Sequence, residues 1–312
     1  MYLASVDVGS NTLRLLIGRA SKEGFVPVRY ERVITRLASG ITETGVLGKA
    51  EMEKTLQVLK DFSEIIGRCG VRHVKAVGTS ALREAKNSGE FLNRVLSETG
   101  INIEVISGQK EAELTAKGVL SSLPLDKKQQ MSLIVDIGGG STEWILCREE
   151  EVLRRGTIPV GVVKLVDKYI KSDPPSKEEI QGLGVEAEGV AETVKKNVIA
   201  YTDSDMILIG TAGTATTLAA IDLELEDYSR EKVHGHEISL DRLKELFFML
   251  VSLSLKDRSN VKGLEPERAD LIIPGILLTI KLIEALNGRN ILISDHGLLE
   301  GALLTLSMEV QK

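Results

Sequence analysis

An α/β protein of two similar domains is the fold class this sequence predicts, and three observations predict it. The phrase SVDVGSNTLRLLIG at residues 5–18 returns in closely related form as IVDIGGGSTEWILC at residues 134–147. Its aspartates, Asp7 and Asp136, lie about one domain length apart. Strand-like and helix-like segments alternate after the first copy, the pattern of a sheet with parallel strands and covering helices. At 312 residues the chain suits about two domains, each with its own core. The polar turn SSLPLDKKQQ (121–130), with Pro124, sets the boundary. The domains are then 1–125 and 126–312, with a final helix from about 298 that can pack back on the first.

Each element follows in order. LASVDV (3–8) and LRLLIG (13–18) flank the small turn GSNT and read as a β-hairpin, with a third strand over 25–34. EMEKTLQVLKDFSEIIGR places Met52, Leu56, Leu59, Phe62 and Ile65 or Ile66 on one helical stripe, which covers the sheet. A strand VKAVGTS (74–80), a helix over 81–100, a strand IEVIS (103–107) and a helix from Gln109 to Leu120 complete the first half. Hairpin and parallel strands together make a mixed sheet flanked by helices. The second half repeats the hairpin. Ser176 and Glu179, behind two prolines, form a capping box that starts a helix. A strand MILIG (206–210) runs into TAGTATTLAA and another helix, and a further helix lies near 240–255. A strand NILIS (290–294) leads through Asp295 and Gly297 to the last helix.

Composition excludes several function classes. A net charge of −6 and only 4% aromatic residues argue against a DNA or RNA binder, which needs a basic face and stacking rings. The most apolar window, 271–286, is interrupted by Pro274 and Lys281 and reads as a buried helix rather than a membrane span. The N-terminus shows no targeting pattern, and Cys69 and Cys147 fit no metal or redox spacing, so a cytoplasmic protein away from membranes is expected. Nothing in the sequence decides between a monomer and a homodimer.

The chemistry lies in the turns. Gly- and Ser-rich turns expose consecutive backbone N–H groups that accept phosphate oxygens. DVGSNT and DIGGGST are two such turns, and GTAGTATT at a helix N-terminus offers a third. An Asp about 4 Å from a phosphate charge is repelled by about 4 kcal/mol at an effective dielectric of about 20. A hard divalent cation removes the conflict, so Asp7, Asp136 and Glu143 suggest a Mg²⁺–phosphate site; each aspartate could instead simply cap its own turn. Arg83 opens the helix after a strand, where it can present a planar fork to phosphate or pair with a nearby Glu. Glu111 falls in a first helical turn, as dipole stabilisation alone would favour, or as a general base for a water attacking phosphorus. His234-Gly235-His236 reads as a loop or ligand-contact feature rather than a metal site.

Taken together, the doubled phosphate hairpin resembles the actin-like ATPase (ribonuclease H-like) superfamily, in which two related domains hold phosphates in an interdomain cleft. The ordered set VDVGSNTLRLLIG, TRLASGITETGVL, GTSALREAKN, ISGQKEAEL, DIGGGSTEW, GTAGTATTLAA and ISDHGLLEG is similar to the exopolyphosphatase/guanosine pentaphosphate phosphatase family in its short, two-domain form. That resemblance implies Glu111 as catalytic base, and Asp136 with Glu143 as holders of Mg²⁺, or another divalent cation, and of the attacking water. It places Ser10, Asn11, Gly138, Gly139, Gly140 and Ser141 in phosphate loops and Arg83 as the phosphate-binding arginine. Arg36 is a further candidate for the same role. The implied substrates are inorganic polyphosphate and guanosine pentaphosphate.

Two departures stand out. Lys110 precedes Glu111 where the family often has a second acid, and a lysine there would favour the ionised carboxylate. Leu299 stands where the family usually has Arg, which removes one contact to a long polyanion or between domains. The rival readings are an ATP-dependent kinase or ATPase of the same superfamily, with an adenosine pocket around GTAGTATT, and a non-catalytic sensor of guanosine tetraphosphate or polyphosphate.

Overall fold

The echoed phrase folds twice into the same hairpin. The computed structural model describes residues 1–22, 24–124, 130–149, 151–201 and 206–311, and the expected boundary at 125/126 lies outside the described residues. By its contacts the chain divides into two units, Met1–Ser121 with Gly297–Lys312, and Ser122–His296.

In the first unit, β1 (Tyr2–Val8), β2 (Thr12–Ser21) and β3 (Gly24–Ile34) are antiparallel neighbours. After the short α1 (Ile41–Thr44) comes α2 (Lys49–Arg68), which buries Met52, Leu56, Leu59, Phe62 and Ile66. The stripe therefore runs through Ile66 rather than Ile65. Then follow β4 (His73–Gly78), α3 (Ser80–Glu84), α4 (Ser88–Thr99), β5 (Ile103–Val105) and α5 (Gly108–Ser122). The sheet order is β3-β2-β1-β4-β5, with β1, β4 and β5 parallel. The C-terminal helix (Leu298–Val310) packs on β1, β2 and β3 through Leu299, Leu303 and Leu306 against Leu3 and Leu16.

The continuous helix expected over 81–100 is broken. Ala85 is extended, the Lys86 amide donates to Gly45 O, and the Asn87 carboxamide both accepts from Leu47 N (2.8 Å) and donates to Leu47 O (3.0 Å). A side chain that satisfies a distant backbone in this way competes with helix continuation. Arg83 consequently sits on a helix of little more than one turn.

The second unit has β6 (Met131–Ile137), β7 (Thr142–Arg148), β8 (Glu151–Ile158), α6 (Val162–Tyr169), α7 (Lys177–Val198), β9 (Ile207–Thr211) and α8 (Ala212–Asp222). It continues with α9 (Arg230–Val233), β10 (Glu237–Ser239), α10 (Leu240–Ser252), α11 (Leu255–Arg258), α12 (Ile272–Ala285) and β11 (Asn290–Ile293). Its sheet order is β10-β11-β9-β6-β7-β8, with β11, β9 and β6 parallel. The Ser176–Glu179 capping box forms as expected. α12 is the apolar window: it is buried against α7, α8 and α10, and Pro274 falls in its first turn, where no amide is needed. Among the described residues no helix is long and apolar enough to cross a membrane.

The likeness of the two sheets extends to irregularities. The β2–β3 ladder shifts register between Ile17 and Gly18, and the β7–β8 ladder shifts between Leu146 and Cys147, the corresponding residues of the echoed phrase. β8 is thus the counterpart of β3. The sequence reading did not place it, because EVLRRGTI alternates poorly and none of its residues is buried.

Candidate active site

In open sheets with parallel strands, ligands bind beyond the carboxyl ends of those strands. In the first unit those ends are knitted together: Thr79 N donates to Val8 O, and Ile106 N to Gly78 O. The turns after β1, β4 and β5 therefore share one edge, and they carry Ser10 and Asn11, Arg83, and Glu111. The second unit repeats the device, with Ser294 N donating to Gly210 O and the Thr214 hydroxyl to Ile137 O (2.9 Å).

The two turns are built alike. Gly9 N donates to Thr12 O (3.1 Å) and Gly138 N to Ser141 O (3.0 Å). Behind the first turn, Ser10 O accepts from Ala38 N, and Asn11 O accepts from both Thr35 N and Arg36 N. Behind the second, Gly138 O and Gly139 O accept from Val162 N and Val163 N at the start of α6. In a trans peptide the N–H points away from the C=O, so pinning the Ser10, Gly138 and Gly139 carbonyls directs the Asn11, Gly139 and Gly140 amides away from those contacts. Gly161 is required here, because a Cβ on it would lie 2.5 Å from the Gly139 carbonyl. Arg36 is held at φ 58°, a left-handed conformation that non-glycine residues adopt mainly under constraint.

Glu111 is 7% exposed and accepts from Arg83 Nη1 at 3.1 Å. The same Nη1 donates to Ile106 O at 2.8 Å. Arg83 is thus neither a solvated helix-face residue nor a lone phosphate fork: it is half-buried and holds the candidate base. Lys110, by contrast, does not serve Glu111. Its Nζ reaches Glu113 Oε1 at 2.9 Å on the exposed face of α5, so the cation beside the base is Arg83. Leu299 is fully buried with Leu3 and Leu16, and its carbonyl accepts from the Ser5 hydroxyl. A polyanion contact is therefore not on offer at this position.

The hairpins differ in the residue facing each aspartate. Asp7 lies opposite Arg14, which donates to Asp7 Oδ2 from Nε (2.8 Å) and Nη2 (2.6 Å). Burial disfavours the Arg14 cation, yet Asp7, with Tyr30 and Glu300 nearby, holds it above the ordinary arginine range. Asp7 Oδ1 is buried without a hydrogen-bond partner. Asp136 lies opposite Glu143, and both are buried. Glu143 Oε1 accepts from the Thr157 hydroxyl at 2.6 Å. Directly opposed residues have Cβ atoms about 4.5–5.5 Å apart, and like charges there destabilise the ladder. Among the described residues no three His, Cys, Asp or Glu side chains gather as a metal cluster. Asp136 and Glu143 stand as a pair, whereas one oxygen of Asp7, the third carboxylate expected at a metal from the sequence, is taken by Arg14.

The third Gly/Thr turn opens α8 with Ala212 at φ 62°, and the guanidinium of Arg268 covers Gly213. His234 stacks on His296 with ring centroids 5.0 Å apart, and its Nδ1 accepts from Asp295 N. His236 Nε2 meets Asp222 Oδ2 at 2.7 Å. Burial opposes ionisation of Asp222, but hydrogen bonds from Arg242 and His236 and their charges hold its carboxyl below the usual range. Both cysteines are free thiols, and burial pushes that of Cys147 up to about 12. Sequence reasoning did not single out Arg14, although aligning the two phrases against each other would have set Arg14 against Glu143.

Comparison with known proteins agrees with this architecture. A model of the Ppx/GppA phosphatase family matches residues 16–309. A bifunctional 3-dehydroquinate synthase/phosphatase of Fusobacterium nucleatum is 30% identical over 310 residues, covering 96% of this chain and 46% of that protein. This chain therefore spans about half of that relative. Exopolyphosphatase 2 of Mycobacterium tuberculosis is 30% identical over 318 residues, covering 98% of each. Guanosine-5'-triphosphate,3'-diphosphate pyrophosphatase of Aeromonas salmonicida is 27% identical over 305 residues, 97% of this chain and 59% of that protein. An exopolyphosphatase structure from Cytophaga hutchinsonii superposes with a TM-score of 0.90 at 30% identity, covering 99% of this chain and 98% of that one. With its two mixed sheets of the actin-like ATPase fold and a family match over almost its whole length, the chain belongs to the Ppx/GppA phosphatase family.

Proposed function

We propose that this chain hydrolyses the terminal phosphoanhydride bond of inorganic polyphosphate or of guanosine pentaphosphate. The observation that carries the reading is the buried Glu111, held by Arg83 at the carboxyl edge of the first sheet. Relatives named exopolyphosphatase and guanosine pentaphosphate pyrophosphatase support both substrates. Glu111 takes a proton from water as its oxygen bonds to the terminal phosphorus. The bridging P–O bond breaks, and orthophosphate leaves a chain shorter by one phosphate. Arg83 orients the base. The amides of the Ser10–Asn11 turn, with Arg36 beside it, would donate to phosphoryl oxygens and stabilise charge that builds in the transition state, and the Gly138–Ser141 turn of the second unit offers donors of the same kind.

The residues fit a divalent cation such as Mg²⁺: two buried carboxylates face each other across one hairpin, an arrangement that positive charge stabilises. Asp136 and Glu143 would hold it, and it would supply charge neutralisation at the phosphoryl oxygens.

The test is phosphate release with Mg²⁺ from long-chain polyphosphate, guanosine pentaphosphate and ATP, for wild type and Glu111→Gln. Release from either of the first two, reduced about 10²–10⁴-fold in the variant with ligand binding retained, is the expected result. Phosphate transfer from ATP to an acceptor would favour a kinase, and saturable binding with no release would favour a sensor.

A further inference from the structure

Among the described residues of the first unit six buried side-chain polar atoms have no hydrogen-bond partner: the Thr55 and Thr115 hydroxyls lie apart on α2 and α5, and the other four gather at the end of β1, its turn and the loop tied to it. Asn11 is 8% exposed and Thr35 2%, yet both atoms of the Asn11 carboxamide and the Thr35 hydroxyl are unpartnered, as is Asp7 Oδ1. Buried polar groups are otherwise almost always satisfied, so atoms left open in this way mark a place where something else completes the bonding. Thr35 is also held in place. Its amide and that of Arg36 both grip Asn11 O, Ala38 N grips Ser10 O, and the loop accepts the left-handed Arg36 to do so. A loop that adopts a strained residue and leaves a hydroxyl unsatisfied is organised for something other than its own stability.

We propose that Thr35 is a further phosphate-binding residue: its hydroxyl, with the Asn11 amide nitrogen, donates to a non-bridging phosphoryl oxygen of a condensed phosphate. A threonine hydroxyl and a carboxamide nitrogen are uncharged donors, suited to an anion already paired with cations elsewhere. The remaining acceptors, Asn11 Oδ1 and Asp7 Oδ1, are suited to the protons of a water held against the same phosphate. The ligand class is taken from the hydrolase reading above, but the binding claim stands or falls independently of turnover.

The experiment is calorimetric titration of inorganic triphosphate, with Mg²⁺, into Glu111→Gln, Glu111→Gln/Thr35→Val and Glu111→Gln/Thr35→Ser, with thermal melts of each ligand-free protein. Valine keeps the shape and removes the hydroxyl. The expected result is a Kd raised about 10- to 100-fold by valine, the range for a hydrogen bond to a charged group, and recovered by serine. The ligand-free valine protein should melt no lower than its parent, because an unsatisfied hydroxyl has been removed. Unchanged triphosphate affinity in the valine protein overturns the proposal, as does absence of triphosphate binding in the parent. A lowered melting temperature with unchanged affinity would give the hydroxyl a structural role instead. If wild type releases no phosphate from any substrate while the valine effect on binding persists, the hydrolase reading fails and the assignment of Thr35 stands.

Discussion

The hairpins at 5–18 and 134–147 share a turn hydrogen bond, pinned carbonyls and a register shift at corresponding residues, but they differ electrostatically. Arg14 faces Asp7, whereas Glu143 faces Asp136. One duplicated scaffold thus gives a carboxylate already paired with a cation and a pair of carboxylates that favours one. A repeated Gly- and Ser-rich turn therefore need not carry a repeated pair of carboxylates. The turn hydrogen bond is the same in both copies, and one cross-strand residue sets the charge beside each aspartate.

The comparison can be broken most severely by making the second hairpin resemble the first. Glu143→Arg should lower phosphate release about 10³-fold, a loss in the range seen when one electrostatic stabiliser of a transition state is removed. Its melting temperature should change little, since Asp136 gains an opposed cation; steady-state kinetics and a thermal melt read both. The complementary change, Arg14→Leu, strands Asp7 and should destabilise the protein by about 3–5 kcal/mol in denaturant unfolding, with much of this recovered in Asp7→Asn/Arg14→Leu. Gly161→Ala forces a Cβ against the Gly139 carbonyl and should cost about 1–3 kcal/mol while raising KM, whereas alanine at Gly67, where a Cβ meets nothing, should do neither.

The smallest effect concerns a carboxylate of the second unit that, like Asp7, already has its cation. Asp222 has its carboxyl lowered in the folded protein, so its contribution to stability is complete above the unfolded pKa of about 3.9 and is lost as pH falls through the folded value. Asp222→Asn should therefore be less stable than wild type near neutral pH, with the gap narrowing below about pH 4 in acid unfolding.

Much of this was legible in the residues because the chemistry is local. Gly138-Gly139-Gly140-Ser141 is a donor-rich turn whatever it packs against, and Glu111 falls in a first helical turn by its spacing from Ser107-Gly108. Relations set at long range were not legible. The break in the helix over 81–100 comes from contacts with a distant loop, Lys86 N to Gly45 O and the Asn87 carboxamide to Leu47. Lys110 is adjacent to Glu111 in sequence, but side chains of neighbouring helical residues diverge, and it turns to Glu113 at i+3. Leu299 was read against a family pattern, whereas its environment is fixed by Leu3 and Leu16 at the opposite end of the chain. Thr35 opens the segment TRLASG, but nothing in that wording shows that its hydroxyl is buried without a partner.

The most direct test of the asymmetry is the Mg²⁺ dependence of phosphate release from polyphosphate in wild type, Glu143→Gln and Asp7→Asn, with Mg²⁺ binding to each protein followed by calorimetry. The account predicts that Glu143→Gln raises the Mg²⁺ concentration for half-maximal activity, and the Kd for the ion, by at least about tenfold, and that Asp7→Asn shifts both far less. Equal shifts in the two variants, or none in Glu143→Gln, would contradict it.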